Sequence, residues 1–123
     1  MSAQEIAQKL VQHCKNGTEA EALQTLYSED AVSVEPMAME GQSPVSEGRG
    51  AIQAKHDWWN NTMTVHSSEI DGPYVNGNTF SLIFKIDAED KSSGERWKAQ
   101  EVALYETDGD KIVRETFFMA PMG

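Results

Sequence analysis

The stretch "YVNGNTFSLIFKID", residues 74–87, predicts a β-hairpin that begins an antiparallel sheet. Asn76-Gly77 is a strong two-residue turn signal, because both residues readily adopt the positive φ values that hairpin turns require. After the turn, side chains alternate between two faces of a strand. One face carries Phe80, Leu82, Phe84 and Ile86, and the other carries Ser81, Ile83, Lys85 and Asp87.

Turn signals on both sides extend this hairpin into a meander of four strands. Asp71-Gly72-Pro73 predicts a turn before the hairpin, and polar segments at 88–95 and 107–111 predict two turns after it. Because strands joined by tight turns pair antiparallel, the second half of the chain predicts one antiparallel sheet. The predicted strands cover residues 64–70, 79–87, 96–106 and 112–119.

The N-terminal segment predicts a helix that begins with a capping box. Ser2 and Glu5 have the spacing at which each side chain accepts a hydrogen bond from the other residue's backbone N–H. Gly17 ends the helix, because glycine adopts the left-handed conformation at little cost. The predicted apolar stripe contains Ile6, Leu10 and Cys14.

A second helix and the first strand follow. Thr18 and Glu21 repeat the capping-box spacing, and the helix they introduce is predicted to end near Tyr27. Residues 31–35 predict a short strand, which Pro36 terminates because proline has no backbone N–H to donate.

The middle of the chain predicts a loop and a third helix. Residues 37–50 hold three glycines and a proline, and loops of this length often act as lids or binding loops. Residues 50–62 predict a helix with Ile52, Lys55, Trp58 and Trp59 at helical spacings. Three helices followed by a meander predict a single α+β domain. The helices can cover one sheet face only, so the other is expected to meet solvent or a second chain.

Composition excludes several classes of function. The 123 residues carry ten Lys and Arg against twenty Asp and Glu, a net charge of −10, which argues against nucleic-acid or anionic-membrane partners. The sequence contains no run of eighteen apolar residues, so no membrane-spanning helix is predicted. The N-terminus is too polar for a secretory signal, and Cys14 is the only cysteine, so a cytoplasmic location is expected.

Three segments carry a family resemblance: "NGTEAEALQTLYSEDAVSVEP" (16–36), "GRGAIQAKHDWW" (48–59) and "ALYETDGDKIVRETFFM" (103–119). Their order resembles the nuclear transport factor 2-like superfamily, and within it the SnoaL-like polyketide cyclase and ketosteroid isomerase branch. The resemblance implies one SnoaL-like domain over residues 1–123, with a cone-shaped, curved antiparallel sheet wrapped around three N-terminal helices, the cystatin-like fold. It also implies homodimers through the open sheet face. Fold alone assigns no reaction, since the superfamily includes non-catalytic members.

The resemblance implies two carboxyl groups as site residues. In the isomerase branch a carboxylate base ends the first strand directly before a proline, and Glu35-Pro36 matches that position with glutamate in place of aspartate. A second carboxyl group lies early in the penultimate strand, where Glu101 or, one residue on, Val102 would stand. A one-residue slip would turn Glu101 outward, toward Lys98 or Arg114.

The isomerases also need a tyrosine in the first helix as an oxyanion donor, and residues 3–15 contain none. Leu10 stands near its place. Since losing one oxyanion donor typically costs about a hundredfold in rate, true ketosteroid isomerase activity is not expected.

The remaining candidates belong to the third helix and to the predicted pocket wall. His56 could exchange a proton near neutral pH, so it is the third catalytic candidate. The histidines at 13, 56 and 66 lack metal-ligand spacing, and no metal or cofactor is predicted. The candidate ligand-binding residues are Tyr27, Met37, Trp59, His66 and Phe118.

Two hypotheses stay open at this point. In the first, a pocket binds a small, mostly apolar organic molecule, and Glu35 acts as a base, helped by Glu101 and His56, in isomerisation, cyclisation, dehydration or hydrolysis. In the second, the domain binds a ligand without turning it over, or only dimerises.

Overall fold

The fold combines three helices with one six-stranded, curved, mixed sheet, which confirms the predicted α+β class. A computed structural model describes residues 1–37 and 43–119. The elements are α1 (Ala3–Asn16), α2 (Glu19–Leu26), β1 (Tyr27–Val34), β2 (Val45–Glu47), α3 (Arg49–Thr62), β3 (Met63–Asn76), β4 (Thr79–Asp90), β5 (Arg96–Thr107) and β6 (Ile112–Met119).

The sheet has the strand order β2-β1-β6-β5-β4-β3. Strands β3 to β6 pair antiparallel with their neighbours in sequence, as the meander predicts. The expectation of a purely antiparallel sheet is wrong, however, because β1 pairs parallel with β6. The reason is topological: the chain completes the whole meander before its last strand returns beside β1, and it arrives in the same direction.

The two sheet faces differ in what covers them. Phe80, Leu82, Ala103 and Tyr105 are buried on the face that packs against the helices, here called the inner face. The Phe80 and Tyr105 rings stack there with centroids 4.7 Å apart. On the other side, the outer face, Phe118 is 51% exposed. The inner face and the apolar stripe of α1 form the core.

Two local predictions for helix starts give different results. The capping box of Ser2 and Glu5 is present, with both reciprocal hydrogen bonds. The second one is wrong, because Thr18 makes no side-chain cap to α2. Its hydroxyl instead contacts His13, at 2.7 Å from Nδ1 and 3.4 Å from the carbonyl oxygen. The Thr18 side chain thus contacts the end of α1, whereas its backbone carbonyl accepts hydrogen bonds from Glu21 and Ala22 at the start of α2.

Three boundaries also differ from expectation. The predicted turn at residues 71–73 is wrong: β3 runs through it with a bulge, pairing Asp71 with Ile83 and Tyr74 with Ser81. A bulge adds residues to one strand without reversing it. The second helix ends at Leu26 with Tyr27 as its C-cap, as predicted, but β1 begins at Tyr27 and not at residue 31. The predicted loop at 37–50 contains β2, and residues 38–42 within it lie outside the described part of the chain.

Candidate functional site

Three glutamates converge on the inner face of the sheet. Glu35 directly follows β1, and its backbone N–H donates to the Pro44 carbonyl at 2.8 Å, which fixes the strand end against β2. Glu101 in β5 pairs with Phe84 and Met119, so it faces the same way as Ala103, two residues on. This register settles the sequence ambiguity in favour of Glu101 over Val102.

Glu115 in β6 is the third member of the group. It pairs with Ser33 of β1 and Tyr105 of β5, both buried on the inner face. Only 2% of the Glu115 residue surface is exposed. We refer to Glu35, Glu101 and Glu115, together with Lys55, as the carboxylate cluster.

Lys55 supplies the positive charge of the cluster. From α3, its Nζ donates to Glu35 Oε1 at 2.9 Å and to the Ser33 hydroxyl. It also lies 4.0 Å from Glu115 Oε1 and 5.0 Å from the centroid of the Phe117 ring. The Lys55 side chain is 17% exposed, so these charges interact with weak solvent screening.

Glu115 is satisfied on one oxygen only. The Tyr27 hydroxyl donates to Oε2 at 2.5 Å. Within the described residues, Oε1 is buried and has no hydrogen-bond partner. Burial, with Glu115 as the nearest charge, raises the pKa of Tyr27 well above its usual value, so the phenol stays protonated and donates.

Glu101 is the member of the cluster whose pKa is raised by its surroundings. Burial raises its pKa to about 7, the charges of Glu35 and Glu115 act in the same direction, and Lys55 opposes them. With one ammonium shared among three carboxyl groups, a proton on Glu101 relieves the repulsion. This carboxyl group can therefore exchange a proton near neutral pH.

His56 lies beside the cluster on α3. Burial lowers its pKa, although the charge of Glu115 acts in the opposite direction, so the imidazole is neutral at pH 7. Its Nδ1 is buried and unpaired among residues 1–37 and 43–119. The helix points His56 inward because Ile52, four residues earlier, is fully buried on the same helix face.

The structure brings only some of the predicted residues together. Glu35, Glu101, His56 and Tyr27 lie in or against the cluster. The other predicted residues, all of them ligand-binding candidates, lie elsewhere in the fold.

Of the four ligand-binding candidates outside the cluster, Trp59 packs between α3 and the sheet, and His66, Met37 and Phe118 lie at the protein surface. Trp59 packs edge-to-face on Trp97 with centroids 5.8 Å apart. His66 pairs with Glu89 at 3.0 Å, and Met37 is 59% exposed. Phe118, the predicted pocket wall, lies on the outer face, because strand alternation places its neighbour Phe117 inward.

Sequence reasoning missed Glu115 and gave Lys55 no chemical role. A signal existed for each. Glu115 stands two residues before Phe117, so alternation in the last strand places a carboxylate on an apolar face. Lys55 stands three residues after Ile52 on the apolar helix stripe. In each case a charged residue interrupts an apolar pattern, and the two charges are opposite.

Two open grooves lie away from the cluster. One, of about 270 Å³, crosses β3, β4 and β5 beside Lys85 and Lys98, and the other follows the exposed side of α1. In the described ranges, no helix is long and apolar enough to cross a membrane. Nor do those ranges contain a group of three or more His, Cys, Asp or Glu residues arranged to hold a metal ion. The interior ligand pocket stays a prediction.

Comparison with known proteins identifies the family. The model of the SnoaL-like domain matches residues 1–119, so the chain belongs to the SnoaL-like family. A search of functionally curated proteins found no match.

Solved structures agree on the fold. A Mesorhizobium loti protein named as a SnoaL-like polyketide cyclase is 40% identical, with a TM-score of 0.87 over 96% of this chain and 99% of that one. A Xanthomonas campestris protein of unknown function with a cystatin-like fold is 19% identical, with a TM-score of 0.78 over 98% and 92%. A Catenulispora acidiphila protein with a ketosteroid isomerase-like fold, solved with trimethylamine, is 20% identical, with a TM-score of 0.72 over 93% and 84%.

Proposed function

We propose that this SnoaL-like protein performs cofactor-free acid–base chemistry on a small, mostly apolar organic molecule. The observation that carries the proposal is the carboxylate cluster: three inward-facing carboxyl groups share one ammonium group on the helix-covered face of the sheet. Such an arrangement serves no obvious packing purpose, because burying like charges costs stability. Buried groups with competing charges are typical of proton-transfer sites.

The proposal gives Glu35 and Glu101 complementary roles. Glu35, 27% exposed and hydrogen-bonded to Lys55, accepts a proton from the substrate. Glu101, whose pKa is about 7, donates one to the developing oxyanion or leaving group and is the acid at neutral pH. Neutral His56 is available to orient the substrate through Nδ1. Isomerisation, cyclisation and hydrolysis all use such an acid–base pair.

A deuterium-exchange experiment tests this function. Cyclic ketones in heavy water should exchange protons next to the carbonyl faster with protein than without, as followed by NMR. Glu35→Gln and Glu101→Gln should each slow the exchange by about a hundredfold or more, because general acid–base catalysis contributes at least that much. The matched control is Glu106→Gln, which removes an exposed carboxylate that lies 3.8 Å from Arg114.

The alternative is ligand binding without turnover, and two observations favour it. Lys55 neutralises Glu35 in a closed ion pair, and Leu10, near the place of the isomerases' tyrosine, is buried in the core. Two results together would support this alternative and reject catalysis. Calorimetry would show saturable ketone binding, and the wild-type protein would exchange ketone protons no faster than the Glu35→Gln and Glu101→Gln variants do.

We also propose that the outer face joins two copies of the chain. Its centre is apolar, and exposed Phe118 and Val45 lie next to half-buried Val102 and Val34. Exposed apolar patches of this kind usually mark interfaces. The rim is charged, as exposed Lys85 on the same face illustrates.

Sedimentation can test the dimer directly. Phe118→Glu should convert a dimer to a monomer, because it buries an unpaired charge at the centre of the interface. The control is Val65→Glu, since Val65 is 45% exposed and pairs with Ala88 on the inner face. A monomeric wild type, or equal effects of the two substitutions, would reject this interface.

A further inference from the structure

Lys55 lies between two carboxylates that differ in what they already bind. Its Nζ donates to Glu35 Oε1 at 2.9 Å, while Glu115 Oε1 stands 4.0 Å away on the other side. That second oxygen is buried and has no partner in the described part of the chain. A buried carboxylate oxygen without a donor is costly, so its presence next to a lysine needs a physical explanation.

The geometry of the second oxygen suits it to receive the ammonium group. A charge-assisted N–H···O bond is about 2.7–2.9 Å long, so Nζ need move by little more than 1 Å. Oε2 of Glu115 is fixed by the Tyr27 hydroxyl at 2.5 Å, which holds the carboxylate in place. The lysine side chain has four rotatable bonds, and its Nζ lies over the Phe117 ring, 5.0 Å from the ring centroid.

We propose that Lys55 is a positioning residue that exchanges counter-ions, leaving Glu35 for Glu115 Oε1 whenever Glu35 loses its negative charge. This counter-ion exchange rests on the proposed function in one respect, namely that Glu35 acts as the base. When Glu35 takes up a proton from the substrate, it becomes neutral and no longer compensates the charge of Lys55. Without a second carboxylate, the buried ammonium would then stand uncompensated, which opposes proton uptake. With Glu115 in reach, the site keeps one ion pair in both states.

The titratable groups that face Lys55 come from four elements. They are Glu35 after β1, Glu115 on β6, Glu101 on β5 and, on its own helix, His56. Glu101 is not the second counter-ion near neutral pH, because it is partly protonated there. His56 is neutral. Among the described residues, Glu115 is therefore the group that offers Lys55 a second carboxylate oxygen without a donor, 4.0 Å from Nζ.

The first test is a crystal structure of Glu35→Gln, which copies the neutral state of the base. We expect Nζ of Lys55 to move from 4.0 Å to about 2.8 Å from Glu115 Oε1. The carboxyl carbon-13 resonance of Glu115 should shift with it, whereas Glu106→Gln should leave that resonance in place. If Nζ stays on the introduced amide and Ser33, or if Glu35→Gln fails to fold, the proposal is overturned.

The second test is a double-mutant cycle of unfolding by urea. Glu35→Gln alone should raise the equilibrium constant for unfolding by about tenfold or less, because Glu115 replaces the lost partner. Adding Glu115→Gln should cost about a hundredfold more than the two single effects combined, since the ammonium then lacks both partners. Additive effects would show that Glu115 never serves as counter-ion. Neither measurement depends on turnover, so the exchange can hold or fail separately from catalysis.

Discussion

Replacing Lys55 with methionine is expected to destabilise the fold by about 3–5 kcal/mol at pH 7, the range for breaking a buried ion pair. The variant keeps Glu35 and Glu115 but removes the ammonium that both face. Since Lys55 also lowers the pKa of Glu101, its loss should raise that pKa above about 7. Urea unfolding measures the first effect, and carbon-13 NMR titration of the glutamates measures the second.

The cost should depend on pH in a defined direction. As pH falls, the carboxyl groups take up protons, the repulsion that Lys55 compensates disappears, and the variant should approach the wild type. Lys98→Met is the matched control, because Lys98 is an exposed lysine on β5, the strand that carries Glu101. A Lys55→Met variant as stable as Lys98→Met at pH 7 would mean that the cluster is electrostatically unimportant.

The sequence predicted the meander because each of its signals is local. The hairpin signal at residues 76–77, strict alternation at 79–87 and polar turn segments fix antiparallel neighbours without reference to the rest of the chain. The turn itself is one residue later than predicted, at Gly77-Asn78, because Asn76 still pairs with Thr79. The parallel pairing of β1 with β6 joins residues about eighty positions apart. No local pattern encodes such a contact, so the mixed character of the sheet stayed hidden.

The site divides in the same way. Glu35 and Glu101 were found because the family resemblance implies carboxyl groups before the proline that ends the first strand and early in the penultimate strand. Lys55 and Glu115 gain their meaning only from each other, since a charge on an apolar face is acceptable when its partner faces it. Which charges meet across α3, β6 and the end of β1 can be seen only in the folded structure. A single charge on an apolar stripe, however, can be identified from the sequence and then matched with charges of opposite sign.

At Thr18 and at Asp71-Gly72-Pro73 the error is of another kind: a local sequence signal predicts a cap or a turn, but contacts in the folded protein favour a different structure. The Thr18 hydroxyl has a better partner in the end of α1 than in the start of α2. At residues 71–73 a complete partner strand lies alongside, so continued pairing prevails over a turn. Gly72 has a φ of +119°, and a Cβ there would come within 3.0 Å of the Ser81 carbonyl oxygen, so the glycine enables the bulge.

Glu101→Gln is expected to remove a pH dependence of stability that the wild type shows between about pH 4.5 and 7. In the folded protein the pKa of Glu101 is about 7, above its model-compound value of 4.5. The folded state therefore binds more protons than the unfolded state in this window, and stability falls as pH rises through it. The favourable contribution is complete below pH 4.5 and is lost as pH passes 7. Its size is up to about 3 kcal/mol, reduced by whatever solvent reaches the group.

The comparison must be made as a difference between variant and wild type across pH, because other groups titrate in both. We expect Glu101→Gln to match the wild type near pH 4 and to exceed its stability near pH 8, where the wild type holds a buried carboxylate against Glu35 and Glu115. Glu106→Gln, at an exposed position, should give a flat difference. A flat difference for Glu101→Gln as well would place its carboxyl group in ordinary solvent. It would also remove the acid from the proposed acid–base pair, because a glutamate with an unperturbed pKa holds almost no proton at pH 7.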